Sequence, residues 1–165
     1  MEIEEWWQGV SERHKNICRP LISGRKRLTK EDEVLLLKCM EMDGIRFLLL
    51  VLGHQFLVLI DKEKKTVYPF HLSGDCEKAY KAEQLSKILF SYKVEPLVTC
   101  CVRKKLVKNF KQKDKSIVLC SLWTMFVFEN KLTGKENSIE RFKEFIKMKG
   151  EINAVEIVNE LLAIV

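Results

Sequence analysis

Ile45-Arg46-Phe-Leu-Leu-Leu-Val-Leu-Gly53-His54-Gln55-Phe-Leu-Val-Leu-Ile-Asp61-Lys-Glu-Lys-Lys65-Thr66-Val-Tyr-Pro-Phe-His71-Leu72 is the stretch on which the fold turns. Ile45–Leu52 and Gln55–Asp61 are rich in Val, Ile, Leu and Phe, too short to be separate helices, and bounded by glycine or charge. They read as two strands joined at Gly53. Lys62–Lys65 is a polar turn, and Thr66–Leu72 is a third strand. Three strands in succession with short connections make an antiparallel meander. The alternative, a membrane span over 45–60, fails because Arg46, Gly53, His54 and Gln55 interrupt it and it falls short of the roughly 20 residues a hydrocarbon core needs. The tail Glu160–Val165 is shorter still, so no membrane partner is expected.

Working outward, residues 2–18 read as a helix with Trp6, Trp7 and Val10 as its docking face. Arg19-Pro20 to Arg27 reads as a basic, irregular approach. Thr29 is placed to cap a helix whose first turn holds Glu31, Asp32 and Glu33, where carboxylates suit the dipole. That helix runs to about Met42 and stops before Gly44. On the other side, Asp75 can cap a helix over 76–91, and Val94–Val102 is a further strand, which Leu106–Phe110 extends beyond a kink. Leu119–Leu132 is apolar on nearly every face, the pattern of a buried helix, with Trp123 and Phe126 inaccessible and Gly134 ending it. Asn137 with Glu140, and Asn153 with Glu156, carry the spacing of a capping box and open two more helices. The expected class is α+β, an antiparallel or mixed sheet of about four to five strands on a buried helix, with peripheral helices at both ends.

A chain of 165 residues with 47% apolar and 32% charged residues is about one globular domain, and no repeat or linker divides it. Residues 1–27 form the approach to a 28–132 core, and 135–165 form the closing helices. The acidic, aromatic start is unlike a signal peptide, so reduced thiols in the nucleus or cytoplasm are expected of the six cysteines. The net charge of +6 is uneven: Arg103, Lys104, Lys105, Lys108, Lys111, Lys113 and Lys115 stand against Asp114 alone, which equals the whole excess. Such a run attracts nucleic acid or an acidic protein surface, or is simply a solvated turn between two strands.

Three residue types could carry chemistry. His14 lies in a charged helix and reads as a surface residue. His54 opens one strand and His71 ends the next, so antiparallel pairing brings both to the same end of the sheet. Cys120 stands at the expected N-terminus of the buried helix, where the positive dipole end lowers a thiol's pKa. A thiol facing an imidazole is the minimal nucleophile–base pair. Metal is disfavoured: Cys100 and Cys101 are adjacent and point to opposite faces of a strand, and no C-x-x-C occurs. No phosphate-binding glycine loop is present, and no cofactor is expected.

The segment Gly53–Gly74, with its strand ending in Ile-Asp, basic turn and Tyr-containing strand, followed by Gln112 and then Leu119-Cys120-Ser121 heading an apolar helix, resembles the adenain and SUMO-deconjugating cysteine peptidases over about residues 28–132. The resemblance implies His54 as general base, Cys120 as nucleophile and Gln112 as oxyanion donor, with a ubiquitin-like tail, Gly-Gly-type site or polyprotein as substrate. His71 takes the place of the family's acidic residue, with Asp75 one slip away as a substitute. Gln55 replaces the tryptophan that roofs the substrate channel, and Leu-Cys-Ser replaces Asp-Cys-Gly. Gln112 precedes Cys120 by eight residues, more than the family keeps. These departures point to a peptidase with altered or lost activity. The alternatives are a non-catalytic protein-binding member of that fold and a basic RNA- or ribonucleoprotein-binding α+β domain.

Overall fold

The structure, a computed structural model, describes residues 8–10, 12–23, 28–52, 56–71, 89–95, 97 and 113–148. The chain divides into two compact units. One comprises Met1–Leu72 with Cys76–Leu97, the other Ser73–Asp75 with Val98–Val165. The class is α+β, as the sequence leads one to expect.

The first unit holds a five-stranded mixed sheet in the order β1-β2-β3-β4-β5, with β1 Cys18–Ser23, β2 Phe47–Leu52, β3 Phe56–Asp61, β4 Thr66–His71 and β5 Lys93–Val94. The β2-β3-β4 meander is antiparallel, as expected, while β1 pairs parallel to β2 and β5 parallel to β4. Side chains alternate across a strand, and in β2 every position is apolar and buried. Leu48, Leu50 and Leu52 lie on one face with Val58, Ile60 and Val67, packed with Leu36 and Cys39 of helix α1, Lys30–Glu41. Phe47, Leu49, Val51, Leu57, Leu59, Tyr68 and Phe70 alternate with them and are buried as well. An uninterrupted apolar run is what a strand covered on both faces requires.

Local chemistry fixes the ends. Thr29 caps α1 as expected, its Oγ1 accepting from Asp32 N–H at 3.1 Å while Asp32 accepts from Thr29 N–H at 2.9 Å. At the other end Lys62 Nζ donates to the carbonyls of Cys39 (3.2 Å) and Met42 (2.6 Å), so the β3–β4 turn fastens the helix terminus. Gly44 follows with φ +87°, in the left-handed region that a glycine reaches without a Cβ penalty.

The structure corrects three expectations in this unit. Cys18–Ser23 is a strand, where the sequence reads as the end of a helix and an irregular approach; among the described residues that precede it, helix is confined to 8–10 and 12–13. Proline is tolerated because β1 is an edge. Phe47 N–H donates to Ile17 C=O at 2.7 Å, so odd-numbered residues of β1 turn their peptides to β2 and Pro20 turns away from the ladder. The β4 proline is placed by the same logic. Lys93, Glu95 and Leu97 donate to the carbonyls of Lys65, Val67 and Pro69, so the missing N–H of Pro69 falls on the β5 side and spares the β3–β4 ladder. The expected strand over 94–102 is, among the described residues, the two-residue β5; residues 98–102 lie outside them, as do 106–110. Residues 89–92 form a turn closed by Tyr92 N–H to Leu89 C=O, not a helix end, and 76–88 lie outside the described residues.

The second unit contains α2, Lys113–Thr133, and α3, Ile139–Met148. Leu122, Met125, Phe126, Val127, Phe128 and Leu132 are buried along α2, in line with its apolar pattern, but Trp123 is only half-buried. Trp123 instead lies at the edge of a ring cluster, 4.9 Å from Phe142 and 5.5 Å from Phe126 between centroids, with Phe126 also 5.3 Å from Phe142. Gly134 ends the helix with φ +69°, and Lys135 N–H reaches back to Asn130 C=O at 3.0 Å, the closing bond of a Schellman turn. Ser138, not Asn137, caps α3, accepting from Arg141 N–H at 3.2 Å; Asn137 Oδ1 accepts from Asn130 Nδ2 at 2.9 Å. The expected helix after Asn153 lies outside the described residues.

Candidate active site

Of the four residues assigned to a catalytic constellation, two have described backbones. His71 is the last residue of β4 and pairs opposite Phe56, the first of β3. The start of β3 and the end of β4 therefore share one end of the sheet. His54 precedes Phe56 by two positions and lies outside the described residues, as do Gln112 and Asp75.

Cys120 is the eighth residue of α2. The expectation that it sits at a helix N-terminus is overturned: the helix begins at Lys113, so Lys-Asp-Lys-Ser-Ile-Val precede the Leu119-Cys120 pair as two further turns. At 1.5 Å per residue the helix start is about 10 Å away. The favourable field of a helix terminus falls off within its first turn, and beyond that turn the backbone N–H groups are already bonded inside the helix. The backbone position of Cys120 is therefore not one of the helix-start positions on which that expectation rests. The charged composition of 113–115 hid this start, since lysines in a first turn run against the dipole.

The basic run is divided. Arg103, Lys104, Lys105, Lys108 and Lys111 lie outside the described residues, whereas Lys113 and Lys115 belong to the first turn of α2 rather than to a turn between strands.

Among the described residues the best-formed polar cluster is elsewhere, at the opposite end of β3. Asp61 is fully buried and takes a two-pronged contact from Arg46, Nε to Oδ1 at 3.1 Å and Nη2 to Oδ2 at 3.0 Å. The N–H groups of Glu63 and Lys64 also donate to Oδ1, at 3.1 and 3.2 Å. Arg46 lies 4.7 Å over the Phe47 ring and 3.3 Å from Glu63 Oε2, and its hydrogen bonds to Asp61 raise its pKa further. With its carboxylate saturated, this cluster organises the turn and offers nothing to a substrate. In the sequence Arg46 and Asp61 read only as an interruption and a strand end; their facing positions follow from the Phe47–Asp61 register.

The described thiols are structural too. Cys18 is buried, and desolvation pushes its pKa up to about 12, so it stays protonated. Among the described residues no group of three or more His, Cys, Asp or Glu side chains could hold a metal, and no helix is long and apolar enough to cross a membrane. No protein-family model, curated protein or solved structure matches the chain.

Proposed function

We propose that this chain is a protein-binding domain on the plan of the adenain/SUMO-deconjugating cysteine peptidases, holding a ubiquitin-like tail or Gly-Gly-type site with cleavage weakened or lost. The observation that carries the loss is the place of Cys120, two turns inside α2. Full peptidase chemistry asks Cys120 Sγ to attack the scissile carbonyl as thiolate. His54 would take the thiol proton and return it to the leaving amine, and Gln112 would hold the oxyanion. A thiol far from a helix start gains less thiolate, and His71, in the place of the orienting carboxylate, brings no negative charge to the base. Loss of that carboxylate alone costs about 10⁴ in rate. The β3–β4 pair, a strand ending in Ile-Asp joined by a basic turn to a Tyr-containing strand, supports the plan itself.

The test compares wild type, Cys120→Ser and His71→Asp in two assays: labelling by an electrophile at the C-terminus of Gly-Gly-tailed ubiquitin-like proteins, and equilibrium binding of those proteins unmodified. Binding by all three, slow labelling of wild type and faster labelling of His71→Asp is the expected result. Rapid wild-type turnover that survives Cys120→Ser, or failure to bind any ubiquitin-like protein, would overturn the proposal. RNA is the control ligand. Salt-sensitive RNA binding without ubiquitin-like binding would turn the reading to residues 103–115.

A further inference from the structure

Helix α1 is amphipathic in an unusual way. Leu36 and Cys39 face the sheet and are buried, yet Val34, Leu35 and Leu37 are about half exposed. Positions 30, 34, 37 and 41 are spaced by four, three and four residues, which lines them up along one side of a helix. That side reads Lys30, Val34, Leu37, Glu41: an apolar centre with a cation at one end and an anion at the other. All four are exposed, and neither Lys30 nor Glu41 has an ion-pair partner among the described residues.

We propose that this side of α1 is a self-association surface whose occupant is α1 of a second copy of the chain, packed antiparallel across a two-fold axis between Val34 and Leu37. The charge order selects the partner and its direction. In that arrangement Val34 of each copy meets Leu37 of the other, and Lys30 of each meets Glu41 of the other, so one stripe satisfies itself twice. A parallel pair would set Lys30 against Lys30 and Glu41 against Glu41. The contact is small, because one helix side covers much less than the roughly 800 Å² per partner of a standard interface, so the dimer is weak and concentration-dependent. Screening of its exposed ion pairs makes it weaker still as salt rises.

Sedimentation velocity of the full chain over a wide concentration range at low salt tests this. Wild type should shift from monomer towards dimer, and Val34→Asp with Leu37→Asp should weaken association at least tenfold while leaving the circular dichroism melt intact, as both sites are exposed. Lys30→Glu and Glu41→Lys should each weaken it, and the two together should restore it. A wild-type monomer at every concentration would overturn the surface. A dimer indifferent to the paired aspartates would do so too, and failure of the double charge swap to restore association would overturn the antiparallel arrangement.

Discussion

A carboxylate taken wholly out of water is costly unless its lone pairs are filled, and at Asp61 they are filled from the Arg46 guanidinium and two turn N–H groups. Replacing it with alanine leaves those donors in a buried place, although Arg46, a third exposed, recovers some water. Asp61→Ala should therefore lower stability by about 2–3 kcal/mol, and Asp61→Asn, which keeps an acceptor oxygen but no charge, by about 1–2 kcal/mol. Urea unfolding midpoints decide it; a loss below about 0.5 kcal/mol in the alanine variant would mean the cluster is incidental. At this scale the sequence was hardest to read. Nothing local says that Arg46 and Asp61, fifteen residues apart, will face each other, since only strand pairing brings them together. The start of α2 is hard to read for a related reason: the polar residues Lys113, Asp114 and Lys115 conceal where the helix begins, and with it the position of Cys120 along the helix.

Elements were more legible where several signals agreed. The meander could be read because apolar runs, a glycine and a charged turn all marked the same boundaries, and α1 because Thr29 and its acidic first turn form a cap. β1 escaped because Arg19-Pro20 looks irregular, and its partner, β2, lies beyond α1 in the chain. The apolar face of α2 was plain, yet its all-round pattern overstated the burial of Trp123. Phe126 is the better probe of that helix, buried and ringed by Trp123, Phe142 and Phe145. Phe126→Ala should cost about 3–5 kcal/mol, the transfer of a large ring plus the hole it leaves. A thermal melt within a degree or two of wild type would show that α3 closes over the gap or that the cluster contributes little.

For the molecule as a whole, the sheet's two edges govern what it can join. β5 is only two residues long, and the longer edge, β1, carries Pro20 on its outward side, where an incoming strand would look for an N–H. Pro20→Val should leave the β1–β2 ladder intact but raise light scattering during incubation at high concentration; equal scattering by variant and wild type would remove this role from the proline. Pro20 has a further consequence in the order of synthesis. β1 pairs with β2, yet Leu52 follows Ser23 by 29 residues. At about 5–20 residues per second the nascent β1 waits a few seconds for β2, its neighbour in the sheet. A strand that lacks one donor is a poor template for the chains emerging from adjacent ribosomes, so the same imino ring guards the protein before there is a sheet to guard.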